Sequence, residues 1–390
     1  MRIGFDVSQA GKNKAGCGYF ADGLINALTK QPADCEYVLY PSFGDFFFDS
    51  DNSQSFQIEQ SHVSYGPRHR TIAEATSFWK AADLEQRLEG VDIVHANNFW
   101  CPRQPLEHVR LVYTLYDLSF LEEPGWTTET NRSGCFHGVF GAATTADWIV
   151  SISHATRDHF LRVFPSFPEE RVKVIFPASR FSSFEQPDAR PKCLDGVSAG
   201  NYWLSVGTIE PRKNHERLLQ AYAKYRANGG RSMPLVLAGG SGWLMGDFSQ
   251  LIAELGLSND VIVTGYVTDQ ELCWLYRNCH AHIYVSLFEG FGMPVLEGMQ
   301  CGAPTIASRS TSIPEITGNA AILVDPTDVD AIAGALALIS DNRDLCRSLS
   351  QRARAQAQNF GWDMSAGRLL DVYQLAREMP KRLARRAMQA

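Results

Sequence analysis

Residues 286–299 combine two glycines with two carboxylates, directly after an apolar run at 282–285. The apolar run is typical of a buried strand, and Gly290 and Gly292 permit backbone conformations that a tight turn needs. Pro294 suits the first turn of a helix, where its missing N–H is not needed. The order of strand, glycine turn and helix start therefore predicts free backbone N–H groups at one point, an arrangement that favours a bound phosphate.

Glu289 and Glu297 flank this predicted phosphate site, one before the turn and one about one helical turn after it. An ionised carboxylate accepts hydrogen bonds, and its two oxygens can accept two sugar hydroxyls at once. A phosphate site between two hydroxyl acceptors is what a nucleotide sugar requires. We expect both glutamates to stay ionised, which disfavours glycoside hydrolysis because that reaction needs one protonated carboxyl group. The alternative is an ordinary strand–turn–helix with surface glutamates.

A loop at 207–214 carries two adjacent cations, Arg212 and Lys213, between a predicted strand and a predicted helix. When a nucleotide sugar reacts, the departing group is a nucleoside diphosphate, whose developing negative charge is stabilised by fixed cations. We therefore expect no metal ion and no cofactor at this site. The Asp-x-Asp triplets at 49–51 and 328–330 have a spacing that holds metal in many transferases, but aspartates at a helix start are commonly caps. A solvated basic loop is the alternative for the two cations.

The run E-G-F-G-x-P-x-x-E at 289–297, followed by GAP at 302–304 and PE at 314–315, resembles the motif of retaining glycosyltransferases of family 4. The run GTIEPRKN at 207–214 resembles the Glu-Pro-x-Lys element of the same family. The resemblance covers 200–362 strongly and the first 170 residues weakly. It implies an α/β chain with the GT-B fold, in which two Rossmann-like domains face a central cleft.

The resemblance also implies catalytic and donor-binding roles for particular residues. Glu289 would contact the donor sugar and Glu297 the ribose hydroxyls, while Arg212 and Lys213 would face the diphosphate. The other donor-binding residues that it implies are Gly18, Gly207, Gly265, Tyr266, Val267, Gly290, Phe291 and Gly292.

In the first domain the family usually has a His-Asp pair where this chain has Tyr116 and Asp117. The family's histidine lies close to the reacting sugar. Tyr116 can donate a hydrogen bond, but it cannot become a cation near neutral pH. Asp117 either positions the acceptor or caps the next turn, and both residues are candidate catalytic residues. We expect His95, His154 and His215 to be structural.

Within the family, the two motifs look most like those of bacterial mannosyltransferases that build surface polysaccharides such as O-antigen. This implies transfer of mannose from GDP-mannose to a glycan or a polyprenyl-diphosphate-linked acceptor. It also implies a cytoplasmic protein that works at the inner face of the membrane. The candidate membrane contacts are a group of aromatic residues and a group of basic residues. The alternatives are that the aromatic residues are buried in the first domain and that the basic tail is solvated. These residues are Phe43, Phe46, Phe47, Phe48, Lys381, Arg382, Arg385 and Arg386.

Length, charge and cysteine usage exclude several classes of protein. The 390 residues favour two domains, since single cores seldom exceed about 250–300 residues. A formal net charge of −7 gives no general affinity for nucleic acid. The nine cysteines are scattered, which indicates reduced thiols rather than a disulfide framework. No apolar run approaches the roughly 18–20 residues of a membrane-spanning helix, and the N-terminus reads as a strand rather than a signal peptide.

Alternation of strands and helices occurs twice along the chain and predicts two parallel, doubly wound sheets. We assign 1–178 to an N-terminal acceptor domain, joined by a returning C-terminal helix at 363–390. Residues 179–200, which lack periodicity and contain prolines and serines, are the predicted linker. Residues 201–362 are the predicted nucleotide-sugar donor domain.

Three helices of the first domain are predicted from local pattern, and the first runs from Tyr19 to Leu28. Phe78 to Leu88 has helical character, and the helix from Thr156 to Phe164 follows Ser153, whose hydroxyl is placed to cap it. The polar stretch that ends near Arg68 has no clear period.

A rival interpretation rests on the G-x-G-x-x-A run at 16–21, which formally matches a dinucleotide-binding fingerprint. In that fingerprint the first glycine follows the strand almost at once, whereas here a longer loop separates Val7 from Gly16. An NAD-dependent oxidoreductase is therefore the weaker alternative. A non-catalytic sugar-binding module is a third, although it would not need Arg212 and Lys213 beside the phosphate site.

Overall fold

A computed structural model describes the chain except at residues 13, 33, 45–50, 52, 53, 89, 98, 103, 183–188, 241, 243–247 and 383–390. The chain divides into two compact units. The first unit comprises Met1–Phe120, Glu129–Ala178 and Gly361–Ala390, and the second comprises Leu121–Thr128 and Ser179–Phe360.

The first unit is organised around a parallel sheet. Its described strands are β1 (Arg2–Asp6), β2 (Glu36–Tyr40), β3 (Val63–Tyr65), β4 (Ile93–Ala96), β5 (Arg110–Leu115), β6 (Trp148–Ser151) and β7 (Val172–Val174). They follow the spatial order β3-β2-β1-β4-β5-β6-β7, and each neighbouring pair is parallel. The central strands are apolar and buried almost throughout, as expected for a parallel sheet covered by helices.

The helices that precede the second sheet along the chain are mostly short. They are α1 (Gly16–Leu28), α2 (Ile72–Trp79), α3 (Leu84–Arg87), α4 (Ser119–Glu122), α5 (Glu129–Thr145), α6 (His154–Val163) and the 3₁₀ helices Pro124–Trp126 and Glu169–Arg171. Ser153 caps α6 as predicted, because its Oγ accepts a hydrogen bond from Thr156 N at 3.0 Å.

The predicted single helix from Phe78 to Leu88 is wrong. The chain instead forms α2, which Thr71 caps by accepting a hydrogen bond from Glu74 N, and then the separate short helix α3. Phe78 therefore lies near the end of one helix rather than at the start of another. The sequence pattern also does not predict α5, because three of its four buried residues are glycine, alanine or threonine and give no apolar stripe.

The second unit contains another parallel sheet. Its described strands are β8 (Trp203–Val206), β9 (Leu235–Ala238), β10 (Val261–Gly265), β11 (Ala281–Tyr284), β12 (Thr305–Ser308) and β13 (Ala321–Val324). They follow the order β10-β9-β8-β11-β12-β13, again in parallel pairs. Every residue of β11 is buried between β8 and β12. The chain that leaves this central strand carries the glycine turn.

Helices of the second unit connect these strands. They are α7 (His215–Ala227), α8 (Phe248–Glu254), α9 (Asp269–Asn278), α10 (Met293–Cys301), α11 (Ile313–Thr317), α12 (Val329–Ser340), α13 (Arg343–Ala357) and the 3₁₀ helices Lys192–Leu194 and Pro211–Lys213. Thr268 and Glu271 form a capping box at the start of α9.

The last helix, α14 (Trp362–Glu378), belongs to the first unit and packs against α1. Gly23 of α1 lies so close to Trp362 that a Cβ there would be 2.4 Å from the indole ring. The Phe20 ring adds an edge contact, with its centroid 6.0 Å from that of Trp362. The absence of a side chain at Gly23 therefore permits this helix pair.

The candidate membrane contacts that the structure describes are internal to the first unit. Lys381 Nζ donates to the Val109 carbonyl at 2.7 Å, and Arg382 Nε donates to the Ala146 carbonyl at 2.7 Å. Phe43 is fully buried in an aromatic core. Phe43 therefore does not face lipid, whereas the side chains of Lys381 and Arg382 are partly exposed and bound to carbonyls of the first unit. The other candidates lie outside the described residues; they are Phe46, Phe47, Phe48, Arg385 and Arg386.

In the described part of the chain, no helix has the length and apolar character needed to cross a bilayer.

Candidate active site

The turn after β11 is held in a conformation that glycine permits. Gly292 has a φ of +107° and is the N-cap residue of α10, which has a proline in its first turn. A Cβ at Gly292 would also lie 2.5 Å from the Ile313 side chain, so both conformation and crowding select glycine. Ser312 Oγ donates to the carbonyls of Glu289 at 3.0 Å and Phe291 at 2.7 Å. The predicted order of strand, glycine turn and helix is therefore confirmed.

Glu289 is the centre of a buried charge cluster, with an exposed fraction of 7%. Its Oε1 accepts hydrogen bonds from Lys213 Nζ at 2.7 Å, Ser286 Oγ at 2.8 Å and Tyr284 Oη at 2.9 Å. Its Oε2 lies 3.0 Å from Arg212 Nη1. The structure thus brings together three residues that the sequence predicted to be catalytic.

The electrostatics of this cluster keep Glu289 charged. Burial alone would raise the pKa of Glu289, because the carboxylate loses its hydration. The charges of Arg212 and Lys213, with hydrogen bonds from Lys213 and Ser286, outweigh burial and lower the pKa to about 2. Glu289 is therefore ionised at neutral pH and can only accept hydrogen bonds, which suits a sugar hydroxyl.

The two cations of the basic loop are paired with carboxylates. Arg212 Nη2 donates to Glu210 Oε1 at 2.7 Å, in addition to the contact of Arg212 Nη1 with Glu289. Two cations thus face two carboxylates, so the cluster is close to neutral rather than the concentrated positive charge that the sequence suggests. A diphosphate bound here would use the same guanidinium and ammonium groups that hold Glu289. Sugar recognition and stabilisation of the leaving group are therefore coupled through Arg212 and Lys213.

Asn214 anchors the basic loop to the chain that leaves β11. It adopts a left-handed conformation with a φ of +61°. Its Nδ2 donates to the carbonyls of Val285 at 2.9 Å and Pro326 at 2.7 Å. Leu287 N donates in turn to the Arg212 carbonyl at 2.9 Å. These bonds explain how a lysine and a glutamate 76 positions apart in the sequence share one site.

Two glycines bring the ends of β8 and β9 close together beside the basic loop. Gly207 follows β8 with a φ of +151°, and a Cβ there would lie 3.6 Å from Lys213 Cε. A Cβ at Gly239, which follows β9, would lie 2.0 Å from the Gly207 carbonyl oxygen. Gly207 therefore lies next to the predicted catalytic lysine, and no sequence motif marks Gly239.

Glu297 has a different environment from Glu289. It lies in α10 with no exposed surface, and its Oε1 accepts a hydrogen bond from Arg180 Nε at 2.7 Å. Tyr276 Oη donates to Oε2 at 3.3 Å. Burial raises the pKa of Glu297, and the charge and hydrogen bond of Arg180 oppose that rise. Arg180 Nη1 also contacts Asp269 Oδ1 at 2.8 Å, so one guanidinium joins two carboxylates.

The predicted base-binding segment lies at the end of β10. Gly265 has a φ of +69°, and its carbonyl accepts a hydrogen bond from Gly239 N at 3.0 Å. Tyr266 is 73% exposed, which leaves its aromatic ring available for stacking. Val267 is partly buried and packs against a hydrophobic core cluster of the second unit. These contacts place an aromatic face at the carboxyl edge of the second sheet, where ligands of such sheets bind.

Tyr116 and Asp117, the candidate catalytic residues of the first unit, make contacts within that unit. Tyr116 Oη donates to the Cys17 carbonyl at 3.2 Å, and burial raises the pKa of Tyr116 well above its usual value. Asp117 Oδ1 accepts hydrogen bonds from Ser119 N at 2.9 Å and Ser119 Oγ at 2.7 Å. The structure thus shows the capping role that was one of two predictions for Asp117. Acceptor positioning stays a prediction.

The glycines of the formal dinucleotide fingerprint lie inside a helix. Gly16 is the first residue of α1, and Gly18 follows in the same turn. A Cβ at Gly18 would lie 2.1 Å from the Gln9 carbonyl oxygen, so this glycine permits close packing of the preceding loop. The loop between β1 and α1 therefore does not form the tight turn of the fingerprint.

The three histidines considered as candidates do not join the cluster around Glu289. His95 is buried, and its ring nitrogens contact Tyr373 Oη at 2.5 Å and Thr114 Oγ1 at 2.8 Å. Burial lowers the pKa of His215 to about 4. The ring of His154 packs against Phe176. These contacts agree with the expected structural roles.

The described residues hold no group of three or more His, Cys, Asp or Glu side chains arranged for a metal ion. Asp328 Oδ1 accepts hydrogen bonds from Asp330 N at 2.9 Å and Ala331 N at 3.0 Å, so it caps α12. The first two residues of the triplet at 49–51 lie outside the described residues.

Several residues of the site were not identified from the sequence. Tyr284 and Ser286 touch Glu289, and their position at the end of the predicted strand β11 was the available signal. The ring of Trp126 lies 6.0 Å from that of Phe288, because the segment Leu121–Thr128 packs within the second unit. Arg180 lies in the predicted linker. The positions of Trp126 and Arg180 depend on long-range packing that no local pattern shows.

Comparison with protein families gives two matches that together cover most of the chain. The family described as "Glycosyltransferase Family 4" matches residues 15–178, and that described as "Glycosyl transferases group 1" matches residues 197–356. The first match contains Tyr116 and Asp117. The second contains both glutamates and the basic loop.

Among curated proteins, the chain is similar to the O-antigen chain mannosyltransferase B of Escherichia coli. The two are 33% identical over 289 residues, which span 73% of this chain and 74% of the relative. It is also 34% identical over 233 residues to the MMP alpha-(1->4)-mannosyltransferase of Mycolicibacterium hassiacum, which covers 58% of this chain and 54% of the relative.

Solved structures show the same fold at low sequence identity. The sucrose-phosphate synthase of Thermosynechococcus elongatus superposes with a TM-score of 0.72 at 21% identity, over 96% of this chain and 98% of that protein. HepE of Anabaena, in complex with UDP and glucose, superposes with a TM-score of 0.69 at 21% identity, over 96% and 99% of the two chains.

Proposed function

Because this chain belongs to the glycosyltransferases of family 4 and group 1, we propose that it transfers mannose from GDP-mannose. The proposed acceptor is a glycan or a polyprenyl-diphosphate-linked glycan, and the proposed product is part of a surface polysaccharide such as O-antigen. Family membership makes the protein a glycosyltransferase. The donor sugar, the nucleotide and the acceptor are the proposed part.

The fold class predicted from the sequence is confirmed. The two parallel sheets with their helices are two Rossmann-like units, and the structural neighbours have the GT-B fold.

The observation that carries the proposed mechanism is the pairing of Glu289 with Arg212 and Lys213. Glu289 is ionised, so it can accept hydrogen bonds from hydroxyls of the donor sugar. The N-terminus of α10 beside it offers backbone N–H groups to the diphosphate. As the sugar–phosphate bond breaks, negative charge grows on the leaving oxygen, and Arg212 and Lys213 stabilise it. We propose that the acceptor attacks the same face, assisted by the leaving phosphate, so that the anomeric configuration is retained.

The proposal of mannose rests on two observations. A relative that covers most of this chain is named an O-antigen chain mannosyltransferase, and a second relative is named a mannosyltransferase of a different acceptor. Surface polysaccharide assembly on a lipid carrier would place the enzyme beside a membrane. Phe43, Lys381 and Arg382 would not supply that contact, since their side chains are engaged within the first unit.

The test is a panel of nucleotide sugars assayed for release of nucleoside diphosphate, with GDP-mannose, GDP-glucose, UDP-glucose and UDP-N-acetylglucosamine as donors. Mannose-terminated oligosaccharides and a short polyprenyl-diphosphate glycan serve as acceptors. We expect acceptor-dependent release of GDP from GDP-mannose, with an α-linked product and no requirement for a divalent metal. The Glu289→Gln variant is the control for contaminating activity. Faster release from a UDP-sugar would refute the donor, and loss of activity in EDTA would refute metal independence.

A further inference from the structure

Arg180 contacts two carboxylates of the second unit. Its Nε lies 2.7 Å from Glu297 Oε1 and its Nη1 lies 2.8 Å from Asp269 Oδ1. The Glu297 side chain is fully buried, whereas that of Arg180 is 22% exposed. Arg180 therefore covers a buried carboxylate from the solvent side.

The segment that carries Arg180 is fixed to the second unit. Phe181 is buried with its ring 6.1 Å from that of Tyr276. Phe181 N donates to Ser179 Oγ at 3.0 Å, and Ser182 Oγ donates to the Ser179 carbonyl at 3.0 Å. This turn sets the direction of the intervening Arg180 side chain. Residue 180 lies between the two family matches, which end at 178 and begin at 197.

We propose that Arg180 is a positioning residue of the donor site, which holds the buried Glu297 as an ionised acceptor for the ribose hydroxyls of the nucleotide. This inference rests on the proposed function, in which Glu297 contacts the ribose. Removal of a carboxylate from water strongly favours its neutral form unless a charged partner is present. Arg180 supplies that partner by a charge-assisted hydrogen bond. A ribose hydroxyl reaches Oε1 when the guanidinium shifts toward Asp269, which it already contacts.

The other charged or titratable groups around Glu297 do not replace this partner. Asp269 carries the same charge as Glu297 and opposes its ionisation. Burial lowers the pKa of His282 to about 3, so this ring is neutral at physiological pH. Burial also raises the pKa of Tyr276 well above its usual value. The charged or titratable groups that interact with Glu297 are Arg180, Asp269, Tyr276 and Cys301, while the ring of His282 packs against that of Tyr276.

The experiment measures binding of a nucleoside diphosphate by calorimetry between pH 7 and pH 9. The ligand is whichever of GDP and UDP binds the wild-type protein more tightly. The variants are Arg180→Met and Arg180→Lys, each compared with wild type at every pH. Arg226→Met is the matched control, because Arg226 has a similar exposed fraction of 24% and pairs with Asp260 elsewhere in the same unit.

We expect Arg180→Met to weaken nucleotide binding at pH 7 by roughly 10- to 100-fold, the effect of losing an ionised hydrogen-bond acceptor. The loss should diminish as pH rises, because Glu297 then ionises without help, and Arg180→Lys should lose less. Donor KM should change more than kcat. Arg226→Met should bind like wild type at each pH.

Two outcomes would overturn the proposal: no loss of affinity in Arg180→Met, or an equal loss at every pH, which would indicate packing alone. Arg180→Lys keeps the charge and tests the proposal if the methionine variant does not fold. Glu297→Gln separates this inference from the proposed function. If Glu297→Gln binds nucleotide normally, the ribose assignment fails. If Glu297→Gln binds weakly and Arg180→Met does not, only the role of Arg180 fails.

Discussion

Replacement of Lys213 by methionine removes one of the two cations that hold Glu289 in its charged form. The side chains of Lys213 and Glu289 are 12% and 8% exposed, so water cannot take over the role of the ammonium group. Methionine keeps the length and apolar character of the lysine stem. The substitution therefore tests the charge with little change in packing.

The size of the effect follows from the pKa of Glu289, which lies at about 2 instead of 4.5. A shift of this size corresponds to roughly 3 kcal/mol in favour of the carboxylate, at about 1.4 kcal/mol per pKa unit. Since Arg212 and Lys213 share the stabilisation, we expect Lys213 to account for roughly 2 kcal/mol of it. A lowered carboxylate pKa stabilises the folded state above pH 4.5, and that stabilisation is lost as pH falls through about 2.

Hydrogen exchange followed by mass spectrometry can measure this effect locally. The opening free energy of peptides that cover β11 and α10 does not require the whole two-unit chain to unfold in one step. Lys213→Met, Glu289→Gln and the double variant, compared with wild type at pH 7, form a double-mutant cycle. We expect a coupling of about 2 kcal/mol. The rate of sugar transfer should fall at least about 100-fold in Lys213→Met.

Lys224→Met is the matched control, because Lys224 pairs with Asp330 at the surface of the same unit and its side chain is 47% exposed. Exposed pairs of this kind contribute about 0–1 kcal/mol. A coupling below about 0.5 kcal/mol between Lys213 and Glu289, indistinguishable from the surface pair, would refute the electrostatic account of the site.

Three further predictions concern the second unit and the buried histidines. Gly239→Ala should reduce thermal stability by the equivalent of about 2 kcal/mol or more, because its Cβ would lie 2.0 Å from the Gly207 carbonyl; an unchanged melting temperature would contradict this. Tyr266→Ala should weaken nucleotide binding by about 1–3 kcal/mol in calorimetry if the exposed ring stacks on the base, while Tyr266→Phe should bind normally. His95 and His282 have pKa values lowered to about 3, so stability should fall as pH drops below 6.5, by about 2 kcal/mol for each histidine at pH 5. Acid melting curves of His282→Gln should then show a smaller loss between pH 7 and pH 5 than wild type.

The elements of the second unit were predictable because local signals in the sequence agree with the fold. Strand β9 is a run of four buried apolar residues, and helix α9 begins with a capping box. Helix α5 was not predictable, because small residues form its buried face. The predicted helix from Phe78 to Leu88 covers only the end of α2 and all of α3, so the prediction missed the start of α2 and the break between the two helices.

In the candidate site too, some residues could be predicted from local motifs and others could not. The motif identified Glu289, Arg212 and Lys213 together, and the structure joins them by direct contacts. Arg180 and Glu297 are 117 positions apart. Nothing local marks this pair, because an arginine in a segment rich in proline and serine has the composition of a solvated linker. Such pairings depend on the tertiary fold, which sequence periodicity does not specify.

The two glutamates of the motif have different electrostatic environments. Glu289 lies between two cations, which lower its pKa despite burial. Glu297 is fully buried, and its hydrogen bonds come from donors: Arg180 Nε–H on Oε1 and Tyr276 O–H on Oε2. The Arg180 guanidinium favours the ionised form of Glu297, whereas burial raises the pKa of this carboxyl group. Because hydrolysis by a carboxylate pair requires one carboxylic acid, this arrangement favours binding of two sets of hydroxyls over acid catalysis of glycoside cleavage.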